Sequence, residues 1–352
     1  MVDEAGTPPQ PTGQSDLPPE SVQTPQPTAQ VLQLVPPAAV IASAEGEGGD
    51  HNDAKTTKPE KVIDWGTYNY LLEHFTLIYP TDTVWDGAKR KIIKIGNMGH
   101  AFSNDMVRMW KASNDRKQVD DHEVVFDPTR KSPKHYVNLF DGITMVPKKG
   151  DVGPILDLVR FLTSRASTDE EESDEIMHWL LQWFAYPLQN VGAKLRTSVV
   201  MHGDEGAGKN FLFDLVASIY GKYGVLVGQD ELEDKFNDWR SCKLFVVGDE
   251  VSSRQELVHN KNRLKLLVTQ QDKFPIRGMQ METRWESNHA NVVFLSNDSQ
   301  PLALEERDRR YMVIYTPLEA DTAVYEAVRD FKAAGGAGKW MHYLMHYPLG
   351  DF

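Results

Sequence analysis

The sequence predicts an α/β core preceded by a helical collar and a small α+β accessory region. Three observations carry that reading. An apolar β run, Thr197 to His202, leads through a glycine-rich loop into a helix-like stretch, Phe211 to Tyr220, that Gly221 ends. Two further apolar runs end in polar residues: Lys243 to Gly248 before Asp249-Glu250, and Asn291 to Ser296 before Asn297. Before the core, residues 154 to 190 change to helical spacing, with Ile155, Leu158, Val159 and Leu162 on one stripe.

The elements follow in chain order. Residues 1 to 60 hold 10 of the 20 prolines, no aromatic residue and a net charge of −7, so they read as a disordered acidic tail. The whole chain of 352 residues carries −13, which leaves −6 for the rest. Residues 61 to 150 read as the accessory region: Lys91 to Ile95 and Glu123 to Phe126 are β runs, and His135 to Gly142 reads as a strand closing in a turn. Residues 151 to 190 form the collar. Its second helix has Ser167 or Thr168 as cap, acids from Asp169 to Glu175 near its positive end, and an apolar stripe of Ile176, Trp179, Leu180, Trp183 and Phe184. Residues 191 to 352 form the core. A single cysteine, Cys242, excludes a disulfide scaffold, and no run is apolar for long enough to suggest a membrane helix. Net negative charge argues against coating nucleic acid by bulk charge but leaves room for a local basic channel.

The sharpest chemistry lies in Gly203-Asp204-Glu205-Gly206-Ala207-Gly208-Lys209-Asn210. Strand, glycine-rich loop, lysine and helix in that order make a phosphate-binding loop, because glycines let successive N–H groups point inward while the helix N-terminus adds positive charge. Lys209 then reaches the β- and γ-phosphates of ATP. Asn210 stands where a Ser or Thr usually binds Mg²⁺; its carbonyl oxygen is also a hard ligand. Asp249 is expected to share the metal and Glu250 to polarise the attacking water. Asn297 is placed to sense the γ-phosphate. Arg307, Arg309 and Arg310 precede the β run Met312 to Tyr315 and are candidates for an arginine finger.

This order of motifs resembles superfamily 3 helicases of viruses, phages and plasmids. It is most similar to the helicase part of D5-like phage and plasmid primase-helicases, with Phe126-Asp127-Pro128 and Tyr136 to Gly142 resembling the region before their motor. The resemblance implies an AAA+-type P-loop core, ATP hydrolysis with Mg²⁺, movement along single-stranded DNA, and a homo-oligomeric ring, expected to be a hexamer, in which Arg309 or Arg310 acts from a neighbour. It also implies a basic helix, Lys261 to Val268, and a hairpin, Ile276 to Met281 with Glu282 to Asn288, that grips the strand through Lys265, Arg277 and Arg284. Work beside other replication proteins in the host cell cytoplasm is the implied setting. No primase-type catalytic residues stand out in 62 to 150, so the polymerising half is not expected there. Family members commonly continue further, which makes the chain either a compact helicase or a fragment of a longer primase-helicase. Two rival readings are an AAA+ ATPase that remodels or loads a protein, and an origin-binding protein that uses nucleotide only to assemble.

Overall fold

The computed structural model describes residues 63–251, 264–270, 273–279, 283–299, 302, 308–318 and 322–352. The tail, Lys261 to Arg263 of the basic helix and Arg307 lie outside the described residues. Residues Val62–Phe352 form one unit.

The accessory region is a four-stranded sheet of β1 (Phe75–Tyr79), β2 (Thr83–Asp86), β3 (Lys91–Lys94) and β4 (Lys117–Asp120) in the order β3-β2-β1-β4. Helices α1 (Trp65–His74), α2 (Ile95–Met98) and α3 (Asn104–Ala112) accompany it. Leu71, Phe75, Val84 and Trp110 form its core. The expected run Lys91 to Ile95 stops one residue early, as Ile95 opens α2. From the expected strand His135 to Gly142 only β6 (Val137–Asn138) forms, paired in parallel with β5 (Val124–Val125). The reason is Asn138, whose side chain replaces a ladder partner: Oδ1 accepts from the N–H groups of Asp127 and Phe140, each at 3.0 Å.

Two helices come next, α4 (Gly153–Thr163) and α5 (Glu170–Gln189). The cap of α5 is Asp169, not Ser167 or Thr168: its carboxylate accepts the Glu171 N–H at 2.9 Å. Ser167 acts one step earlier, its hydroxyl accepting from the Asp169 N–H. The following acids stand in the first helical turn, where they complement the helix dipole. Leu158, Leu162, Leu180, Trp183 and Phe184 share one hydrophobic cluster with Val199, Phe213 and Phe245 of the core. These helices therefore cover a face of the central sheet.

That sheet is built from β7 (Ser198–His202), β8 (Gly224–Val227), β9 (Phe245–Gly248), β12 (Asn291–Ser296) and β13 (Tyr311–Tyr315). Its order is β13-β7-β12-β9-β8, and every neighbouring pair is parallel. Helices α6 (Lys209–Tyr220), α7 (Gln229–Glu233), α8 (Thr322–Ala333) and α9 (Gly336–Met345) belong to the described core, as does the helical stretch 264–269 of the expected basic helix. All six residues of β12 are buried, as expected for the centre of a parallel sheet covered on both faces. The hairpin exists with arm bounds different from the expected ones, and residues 280–282 of it lie outside the described residues. Its arms are β10 (Lys273–Ile276) and β11 (Arg284–Ser287), antiparallel, with Lys273 opposite Ser287. The first arm starts three residues before Ile276 because Phe274 and Ile276 are its two buried positions.

Trp183 is fully buried where α5 meets the sheet, and its Nε1 donates to Thr197 Oγ1 at 3.2 Å. Trp183→Ala is expected to lower unfolding stability by about 3–5 kcal/mol, measured by denaturant titration. A loss below about 1 kcal/mol would mean that α5 is not anchored to the sheet.

Candidate functional site

Because the five strands are parallel, their C-terminal ends line one edge. Ser296 of β12 lies opposite His202 of β7, and the Gly203 N–H donates to Ser296 O at 3.3 Å. On the other side Thr316 holds the same strand end, donating its N–H to His202 O at 2.7 Å. The loop leaving β7 is thus clamped between two neighbours. Gly203, Gly206 and Gly208 all have positive φ, at 140°, 87° and 95°. A Cβ on Gly203 would stand 2.8 Å from the carbonyl oxygen of Thr316 and closer still to its hydroxyl, so glycine is required there by contact as well as conformation.

Lys209 opens α6 and is buried, donating from Nζ to the loop's own carbonyls, Gly203 O at 2.7 Å and Asp204 O at 2.8 Å. Burial pulls its ammonium below the usual lysine range, while the charges of Asp204, Asp249 and Glu205 work in the opposite direction. A phosphate oxygen offers this ammonium a full charge in place of two carbonyl dipoles.

The acid-bearing turn is fixed from both sides. The Asp249 N–H donates to Val227 O of β8 at 2.8 Å, and two residues later the Val251 N–H donates to Leu295 O of β12 at 3.0 Å. Glu250 between them has φ 54°, a left-handed conformation that costs a non-glycine residue on the order of 1–3 kcal/mol. Its own N–H donates to Asp249 Oδ1 at 2.9 Å. Across the edge, Asn210 Nδ2 donates to Asp249 Oδ2 at 2.6 Å. This contact joins the glycine-rich loop to the acids. Among the described residues no group of three or more His, Cys, Asp or Glu is placed to hold a metal. The Asp249 carboxylate and the Asn210 side-chain carbonyl are two hard oxygen donors beside the glycine-rich loop, a donor chemistry that would suit Mg²⁺.

Lys209, Asn210, Asp249, Glu250 and Asn297 therefore come together at one edge with the loop residues Gly203 to Gly208. Asn297 is exposed immediately beyond β12. Arg309 and Arg310 do not join them. They precede β13, whose first residue, Tyr311, lies opposite Ser198, and Arg310 O accepts the Ser198 N–H at 2.8 Å. Five strand residues, about 16 Å, separate that end of the sheet from the loop. Arg310 is bound to Asp308 through two bonds of 2.6 Å, while Arg309 is exposed.

The three residues expected on DNA separate too. Arg277 is exposed at the hairpin turn, its backbone paired with Asn237. Lys265 is half-buried, and its charge acts on Asp308. Arg284 turns back into the body: Nη2 donates to Glu286 Oε2 at 2.8 Å and also to Ser241 Oγ. Residues i and i+2 on a strand share a face, so an ion pair within β11 was available to it.

Sequence reasoning missed His202 and Asp214. The His202 ring packs against Tyr315, its Nδ1 is buried with no hydrogen-bond partner, and burial pushes its pKa down. Asp214, one turn into α6, has a buried Oδ1 without a partner and a carboxyl pushed up, first by burial and further by Asp249 against the pull of Lys332. Its spacing from Lys209 within the helix was the available signal.

Comparison with known proteins fits this fold. Residues 201–310 match a family described as a family of unknown function, DUF5906. A DNA primase-polymerase of Nitratiruptor phage NrS-1 is 28% identical over 184 residues, 51% of this chain. The matched stretch spans 24% of that protein's length. The apo structure of the NrS-1 C-terminal region is 19% identical, with a TM-score of 0.62, over 80% of this chain and 69% of that one. The mixed α/β fold with its parallel sheet is shared with that region.

Gly203→Ala is expected to weaken binding of a fluorescent ATP analogue more than tenfold. Gly335→Ala, also at positive φ but with open space around the Cβ, is expected to leave binding intact. Equal behaviour of the two variants would contradict the clamp by Thr316.

Proposed function

We propose that this chain is the ATP-hydrolysing motor part of a phage or mobile-element replication protein, a helicase of the superfamily 3 type with an AAA+-type core. The observation that carries the reading is the Asn210–Asp249 contact at 2.6 Å, which sets a phosphate-binding loop against a Gly-Asp-Glu strand end across an inserted strand. That the chain resembles a phage DNA primase-polymerase supports the replication setting, and with it the host cell cytoplasm.

In this reading the loop N–H groups and Lys209 bind the ATP phosphates, and Lys209 exchanges its two carbonyl contacts for phosphate oxygens. Asn210 and Asp249 would hold Mg²⁺, which supplies charge neutralisation at the phosphates. Glu250 accepts a proton from the attacking water. Asn297 orients that water or reads the γ-phosphate. Arg309 stands at the far end of the sheet from its own loop, so it serves a phosphate only on another copy. That placement supports a ring, a hexamer by resemblance, with Asp308 and Arg310 stiffening the segment that presents Arg309. Arg277 at the hairpin turn is the residue best placed to touch single-stranded DNA. Arg284 contributes through the body and not at the tip.

The test is the ATP hydrolysis rate with and without single-stranded DNA, with Lys209→Ala as the blank. Turnover above the blank, raised by DNA and reduced towards the unstimulated rate by Arg277→Ala, is expected. Turnover indifferent to DNA would remove the nucleic-acid part, and no turnover above the blank would remove the motor. Glu250→Gln is expected to keep ATP affinity while lowering kcat by about 10²–10⁴-fold, measured by steady-state kinetics. Unchanged kcat would exclude Glu250 as the base.

A further inference from the structure

Outside the site above, two cavities of about 280 and 420 Å³ share Arg90; the smaller lies between the accessory sheet and the core, and the larger is lined by the accessory region alone. The larger falls within the ~300–1,000 Å³ typical of ligand pockets. Six basic side chains line the pair, Arg90, Lys91, Arg130, Lys134, Lys222 and Arg284, against Asp141 in the lining and Glu286, which pairs with Arg284 from behind. In a chain of net charge −13 that concentration is far from what composition supplies.

These cations are held in place from behind. The Arg90 guanidinium lies over Trp85, Arg130 over Phe140, and the Lys222 ammonium over Tyr223, with ring distances of 5.4, 5.8 and 5.2 Å. Asp141 pairs with both Arg90 at 3.0 Å and Lys222 at 2.8 Å, and the Tyr223 hydroxyl also donates to it. Partial burial works against its charge, but the bonds from Lys222 and Tyr223 and the two cations hold its carboxyl below the usual range. One carboxylate thus positions two cations and neutralises only one. Arg284 adds a buried Nε with no hydrogen-bond partner. Backbone strain gathers here as well: of the four non-glycine residues with positive φ among the described residues, Arg90, Arg130 and Cys242 line these cavities and the fourth is Glu250. The segment Asp127 to Asp141 builds one wall of the larger cavity. Asp127 caps the turn through the N–H groups of Thr129 at 2.9 Å and Ser132 at 2.7 Å, and the Asn138 amide ties its two ends together.

We propose that this basic cleft binds successive phosphates of a single nucleic-acid strand, a second strand contact apart from the exposed Arg277 of the hairpin. Two joined cavities with cations spread along both suit consecutive phosphates better than one compact anion. Arginine with aromatic backing offers planar N–H donors matched to phosphate oxygens. The proposal does not depend on ATP turnover.

The test uses the exposed pair Lys91 and Lys134, which can be changed without opening the core. Affinity of the full chain for labelled oligothymidylate is measured over a range of salt without nucleotide, for the wild type and for Lys91→Gln/Lys134→Gln. Loss of two phosphate contacts is expected to flatten the slope of log affinity against log salt by about 1.4, from ~0.7 per contact on a single strand. The equal charge loss Lys148→Gln/Lys149→Gln, at exposed positions outside the cleft, is expected to leave the slope unchanged. Matching slopes for wild type and the cleft variant at unchanged Tm would overturn the proposal. So would equal effects of the two double variants, or displacement of the oligonucleotide by free thymidine triphosphate at equal phosphate concentration.

Discussion

The position of β12 between β7 and β9 is the constraint on which the rest of the site depends. Were β7 and β9 neighbours, the loop after His202 and the turn at Asp249 would crowd one another. With one strand between them, about 4.8 Å wide, the gap suits a side chain from each side, and Asn210 and Asp249 meet across it at 2.6 Å. The same strand supplies Ser296 O to Gly203 and Leu295 O to Val251, so one buried element anchors both halves of the site. It is apolar throughout apart from its ends, and the buried Asn291 at its start is satisfied by Leu195 N–H and Ala193 O. Rigid placement from the centre of a parallel sheet lets the two exposed loops at its edge hold strained conformations.

Charge is distributed by the same logic of fixed scaffolds. At the sheet edge one buried lysine stands among Asp204, Glu205 and Asp249, an arrangement that polyphosphate with a divalent cation would balance. In the cleft around Arg90 the balance reverses, with six cations about Asp141 and the Glu286 that pairs with Arg284. Arg284 belongs to the second environment although its sequence neighbours belong to the hairpin. The face it shares with Glu286 decides that.

Local signals made the strand–loop–helix unit legible. The glycine spacing, the β run before it and the apolar period after it all act within 25 residues of Lys209, and α6 begins at that residue. The α5 cap was missed because Ser167, Thr168 and Asp169 are all good caps in succession, and only the observed backbone selects the last. Strand order was not legible, since pairing is non-local and nothing in β12 announces that it is inserted between its partners. The fate of the arginines was partly legible. Asp308 with Arg310 and Glu286 with Arg284 are i, i+2 pairs, and such pairs compete with any outward role. The separation of Arg309 from its own loop follows from strand direction, which a sequence does not state.

The most direct test of the contact between loop and acids is a double-mutant cycle on Mg²⁺-dependent ATP affinity with Asn210→Ala, Asp249→Ala and the pair together. If the two side chains form one metal-and-phosphate site, the losses are non-additive, with a coupling of about 1 kcal/mol or more. Additive losses would contradict it, leaving Asn210 and Asp249 as neighbours without a shared task.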